Sequence, residues 1–167
     1  NIILNLFTQQ LGYDYDDRGQ LAQKGLCDDS LLQKLNNIDY YSLNPPKSLA
    51  REFKETQLLP LLSSYDAKTV LRTYTKHIGL QIGMSLTTCK AKKCLVTGGG
   101  THNHFLIDQI KQHTSCRLEI PDQTIIDYKE ALIFALLGLL RNENKINVLS
   151  SVTGASRDHS AGCMAKP

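Results

Sequence analysis

Residues 93–103 read Lys93-Cys94-Leu95-Val96-Thr97-Gly98-Gly99-Gly100-Thr101-His102-Asn103. A short apolar run stops at three consecutive glycines, and a helix-like stretch, HFLIDQIKQH, follows at once. Cys94 to Thr97 reads as a strand, and Phe105, Leu106 and Ile110 recur at helical spacing. A second apolar run, CRLEI, stops at Pro121. Strand, glycine turn, helix, strand is the pattern of a parallel pair joined by a crossover, so the chain reads as α/β. Glycines at the carboxyl end of a strand let a ligand approach the backbone, and the next helix offers N–H groups and the positive end of its dipole. The pattern is neither GxGxxG nor GxxxxGKS, so the dinucleotide fingerprint and the P-loop are both excluded. A plain strand-to-helix turn is the competing reading.

Working outward, helices dominate. Asp66 opens a long helix over 67–88, with Val70, Leu71, Tyr74, Ile78, Ile82 and Leu86 on one face. Gly79 and Gly83, four apart on it, let a neighbour pack close. Upstream, Ile2, Ile3, Leu6, Phe7 and Leu11 predict a helix stopped by Gly12. GYDYDDRG reads as a turn-rich loop, followed by a short helix over 20–24 that ends at Gly25. Asp28 or Asp29 caps a helix carrying Leu31, Leu32 and Leu35, terminated by Asn36 and Asn37. Pro45 and Pro46 force an extended segment, after which the chain turns into REFKETQLLPLL around Ser48. The last long helix is expected from Tyr128 to Asn142, its apolar run 131–140 buried on nearly every side. The tail NVLSSVTGASRDHSAG reads as loop. Two strands alone make a poor sheet, so the remaining strands belong to residues outside this sequence or to a partner. The 167 residues show no repeat and no clear linker, and read as a single domain.

Composition excludes several classes. A formal net charge of +3, without a basic stripe interleaved with aromatics, gives no nucleic-acid footprint. The dense basic cluster, Lys90, Lys92 and Lys93, reads as a solvated cap at a helix end. No apolar run is long enough to span a bilayer. The five cysteines are scattered without a CxxC pair, which fits free thiols in a reducing cytoplasm and small core residues at Cys94 and Cys116. His102 and His104 lack an accompanying carboxylate or thiol pair, so no metal site is assigned.

Two acidic residues, Asp127 and Glu130, stand in a D-x-x-E arrangement. One reading is a capping box that starts the last helix. The other places Glu130 in a cleft, accepting hydrogen bonds from sugar hydroxyls. Thr153, Gly154, Ser156 and Arg157 form a tight polar group that either binds an anion or fixes the tail.

Taken in order, NPPKSLARE, LVTGGGTHN, IPDQTIIDYKEALIFALLG and NVLSSVTGASRDHSAG resemble the C-terminal part of the anhydro-N-acetylmuramic acid kinase family. The likeness runs from NIILNLFTQQLGYDYDDRGQLAQKG to the tail. It implies an actin-like, sugar-kinase ATPase fold with a nucleotide cleft between two domains, of which this chain is half. It also implies ATP and Mg²⁺ as cofactors, a 1,6-anhydro murein sugar as substrate, and peptidoglycan recycling in the cytoplasm. Ring opening by water and phosphorylation of O6 would be concerted, with an aspartate as base. On the same resemblance Gly98, Gly99, Gly100 and Asn103 bind the adenosine side of the nucleotide, and Glu130 contacts the sugar. A homodimer is one arrangement left open.

The departures matter equally. The family's phosphate loop, GTSxDG, and its DTGPG segment, which carries the base, are absent. The sequence therefore begins just after its own base, and no catalytic residue is assigned within it. The family's usual STGRE is SLARE here, so Lys47 and Ser48 receive no role, and His104 stands where the family often has proline. Arg157 also receives none. Two function classes follow: a kinase fragment, inactive alone, and a non-catalytic module that binds nucleotide or sugar.

Overall fold

The computed structural model describes residues 2–44, 47 and 51–165. The extended segment expected at Pro45 and Pro46, the turn around Ser48, and the changed residues Leu49 and Ala50 lie outside the described residues. The chain divides into two compact units, residues 1–120 and 121–167.

The first unit is helix-rich. It contains α1 (Ile2–Gln9), α2 (Gln20–Lys24), α3 (Asp29–Asn36), α4 (Arg51–Phe53), α5 (Leu59–Leu62) and α6 (Ala67–Thr88). There follow β1 (Lys93–Leu95), α7 (His104–Gln112) and β2 (Arg117–Glu119). The starts of α3 and α6 are set by side-chain caps. Asp28 accepts from the Leu31 N–H at 2.7 Å, and Asp66 accepts from the N–H groups of Lys68 and Thr69 at 3.1 Å.

The core gathers Ile3, Leu4 and Phe7 of α1, Leu31 and Leu35 of α3, Leu62 of α5, Val70 and Leu71 of α6, and Phe105 of α7. On α1 the buried face is Ile3, Leu4, Phe7 and Thr8, whereas Ile2 and Leu6, expected inward, are exposed. Helix α6 is central, and α7 lies against its glycines. A Cβ at Gly79 would stand 2.5 Å from Gln109 Cβ, and one at Gly83 would stand 2.5 Å from His113 Cβ. The close packing read from the glycine pair is therefore present.

Strands β1 and β2 run parallel, with Lys93 opposite Arg117 and Leu95 opposite Glu119. The ladder is shorter than the expected 94–97. Its last bond is Val96 N–H to Glu119 O at 2.9 Å, after which β2 runs toward Pro121. Val96 and Leu118 pack beneath Leu106, Ile107 and Ile110. The α/β reading holds, with a two-stranded sheet among the described residues.

The second unit corrects three expectations. Helix α8 spans Gln123–Asn142 and starts five residues before Tyr128, because Asp122, next to Pro121, supplies the cap to the Ile125 N–H at 3.0 Å. Asp127 therefore lies inside the helix, where it accepts from Gln123 Nε2 at 2.7 Å, and the capping box with Glu130 does not exist. Nor is α8 buried on nearly every side: Leu132, Phe134 and Leu136 are 62%, 72% and 53% exposed. The tail, expected as loop throughout, carries a one-turn helix and is held by side-chain hydrogen bonds. Asn147 Nδ2 donates to Leu137 O and Ala161 O, and its Oδ1 accepts from the Ala161 N–H. Val148 bridges to His159, and Asp158 accepts from the N–H and hydroxyl of Ser150 at the start of α9 (Ser150–Thr153).

Candidate functional site

Three consecutive glycines after β1 do different work. Gly98 has φ +81, the left-handed region, and a Cβ there would meet no atom of this chain within 4 Å. Glycine is needed at 98 by the turn, not by a neighbour. The buried Thr101 then locks the turn, its hydroxyl donating to Gly98 O at 2.7 Å and its N–H to the same oxygen at 3.0 Å. Asn103 Oδ1 accepts from the Leu106 N–H at 2.9 Å and caps α7.

A cavity of about 660 Å³ opens beside this turn, at the carboxyl end of β1. Gly99, Gly100, His102, Asn103 and His104 form one wall. Leu4 and Asn5 of α1 form a second, and Tyr15, Asp16, Asp17 and Arg18 a third. A cavity at the carboxyl end of a strand, walled by glycine backbone, is where α/β proteins bind small ligands.

The structure thus brings Gly99, Gly100 and Asn103 to one cavity, with Gly98 shaping the turn behind them. Glu130 belongs to the second unit, where it is exposed on α8. Lys47 is committed to the fold: its ammonium donates to Tyr40 O and Tyr41 O at 3.1 Å and lies 5.0 Å from the Tyr40 ring centroid. Arg157 is exposed, and its carbonyl stands 3.1 Å from His159 Nδ1.

The third wall was missed in the sequence, where GYDYDDRG signalled only a turn. Its geometry is specific. Asp16 gives one carboxylate oxygen to the Leu21 N–H at 2.7 Å and the other to the Ala22 N–H at 3.0 Å, pinning the loop to α2. Arg18 and Gly19 both take left-handed backbone, at φ +54 and +78. Asp17 and Arg18 remain exposed at the cavity wall. Among the described residues no group of three or more His, Cys, Asp or Glu side chains is placed to hold a metal ion.

An α/β unit with a ligand-sized cavity at the end of a parallel strand pair is the class that fold and site define. The family model for anhydro-N-acetylmuramic acid kinase matches residues 1–167, and the chain belongs to that family. It is 33% identical to the anhydro-N-acetylmuramic acid kinase of Synechococcus elongatus and 34% identical to that of Chromohalobacter salexigens, each over 93% of this chain and 45% of the relative. It is 29% identical to the anhydro-N-acetylmuramic acid kinase of Parasynechococcus marenigrum, over all of this chain and 48% of the relative. The chain spans about half the length of these curated relatives.

Proposed function

We propose that this chain is the C-terminal half of an ATP-dependent kinase that opens the ring of 1,6-anhydro-N-acetylmuramic acid and phosphorylates it. The observation that carries the reading is the cavity walled by Gly99, Gly100 and Asn103 in a chain of this family. Both units belong, on this reading, to an actin-like, sugar-kinase fold that works in the cytoplasm. No helix among the described residues is long and apolar enough to cross a membrane.

The chemistry divides between the halves. Water attacks the anomeric carbon, the bond from that carbon to O6 breaks, and O6 takes the γ-phosphoryl group of ATP. The base that removes the water's proton and the loop that holds the γ-phosphate are not in this chain. The role of these residues is to bind and orient. Gly99 and Gly100 present backbone to the adenosine and α-phosphate end, where a side chain would intrude. Asn103 holds the turn by capping α7. Glu130 accepts hydrogen bonds from the sugar.

Mg²⁺ supplies charge neutralisation on the phosphates during phosphoryl transfer. It is commonly held by phosphate oxygens, waters and one or two carboxylates, so a single protein carboxylate at the cavity would suffice for it. Asp17 is the cavity carboxylate not engaged by α2. The exposed apolar side chains of α8 support further contacts, within the longer protein or with a second copy in a homodimer.

The test is sugar-dependent ADP release by the full-length protein and by this chain alone. Turnover by the first and none by the second is expected. Glu130→Gln in the full-length protein should lower kcat/KM for the sugar by about tenfold, since a charged acceptor is stronger than a neutral one. Sugar-stimulated turnover by the isolated chain, or no turnover by the full-length protein, would contradict the reading.

A further inference from the structure

Two glycines of the first unit share a left-handed backbone in unlike surroundings. Gly12 has φ +83 and Gly19 has φ +78. A Cβ at Gly12 would meet nothing within 4 Å. At Gly19 it would overlap Asn103 Oδ1 and stand 2.6 Å from Phe105 Cβ. That oxygen is the atom that caps α7 through the Leu106 N–H. Gly19 also closes the loop whose Tyr15, Asp17 and Arg18 form the wall across from Gly99 and Gly100. The Asn103 amide is therefore seated against both walls, in the space left by a missing side chain.

We propose that Gly19 is a positioning residue for the nucleotide: by leaving room for the Asn103 amide, it fixes the spacing between the Tyr15–Arg18 wall and the glycine wall. The inference rests on the nucleotide reading above. Gly19 is buried and is not part of the cavity lining. A side chain there would push Asn103 off its cap, release the turn, and separate the walls. The nucleotide would lose contacts on both sides without any of its own contact residues being changed. Such displacement cannot be relieved by a flexible chain end, because the atoms met are a capping amide and a Cβ.

Gly12 supplies the control, because an alanine there carries the same backbone strain without the overlap. The experiment titrates a fluorescent ADP analogue into full-length wild-type, Gly19→Ala and Gly12→Ala proteins, below the melting temperature of each. Steady-state kinetics then separate KM for ATP from KM for the sugar. Gly19→Ala should raise the nucleotide Kd and KM by about tenfold or more, which is about 1.4 kcal/mol, and leave KM for the sugar unchanged. Gly12→Ala should bind nucleotide as wild type does.

Wild-type affinity in folded Gly19→Ala, or equal weakening by Gly12→Ala, would overturn the proposal. If Gly19→Ala does not fold, Asn103→Ser decides: it keeps a capping oxygen but shortens the side chain seated against Gly19. Weakened nucleotide binding with an unchanged melting point supports the lock, and unchanged binding overturns it. A wild-type protein that binds no adenine nucleotide would instead overturn the nucleotide reading, and this inference with it.

Discussion

Helices α6 and α8 are close in length, 22 and 20 residues, and differ in what surrounds them. Helix α6 is the more polar by sequence, yet it carries buried Val70, Leu71, Thr73, Thr75 and His77. Helix α8 holds the longest apolar run, and no residue of it is buried. The contrast separates two properties that sequence patterns merge. An apolar run says that a helix needs cover, whereas burial requires that the cover be present. In α6 the cover comes from α1, α2, α3 and α7, drawn close by small residues.

The largest effect that separates the two helices is truncation of a leucine. Leu71 is 0% exposed and Leu136 is 53% exposed. Leu71→Ala should destabilise the chain by about 2–5 kcal/mol, and Leu136→Ala by no more than about 0.5 kcal/mol, read by denaturant titration. Comparable losses at both positions would show that α8 is covered after all.

A smaller effect comes from the polar core of α6. His77 is 1% exposed, with Nδ1 2.7 Å from Asn36 Oδ1 and Nε2 buried without a hydrogen-bond partner. Burial pushes its pKa down to about 4, from an ordinary 6.5. The unfolded chain then binds this proton at higher pH than the folded one. The neutral buried form is fully compatible with folding above about 6.5, and stability falls as pH drops from there toward about 4. The loss attributable to His77 is roughly 3 kcal/mol at most, at 1.36 kcal/mol per pKa unit. Melting temperatures of wild type and His77→Gln across that range should converge on acidification if His77 is responsible. Parallel pH profiles would assign the acid sensitivity elsewhere.

Local chemistry made much of the first unit legible. The span of α2 follows from Gly25 at its end, and that of α6 from the cap Asp66, both short-range signals that tertiary contacts did not override. The α8 start was misread because Asp127 and Glu130 imitate a capping box. Asp122 wins because it follows Pro121, where β2 has ended, and the four residues after it can all be helical. The tail's order depends on Asn147 reaching Ala161 and Asp158 reaching Ser150, pairings that no local pattern announces.

The same division runs through the candidate site. Gly99, Gly100 and Asn103 could be read locally, because a strand, glycines and a cap are contiguous. The Tyr15–Arg18 wall could not, since tertiary contacts such as that between Gly19 and Asn103 bring it to them. Thr101 carried a weak signal, a small hydroxyl residue directly after the glycines, whose lock on Gly98 O appears only in the folded turn.

The central claim is that the glycine wall receives a nucleotide. Gly99 lines the cavity and lies outside the left-handed region, so a β-branched residue can be placed there without the strain expected at Gly98. The direct measurement is the affinity of the full-length Gly99→Val protein for ADP by calorimetric titration, beside a thermal melt. A melting temperature near wild type, with affinity lowered by about tenfold or more, is the predicted result. Wild-type ADP affinity in the folded variant would contradict the account and leave the three glycines as a turn alone.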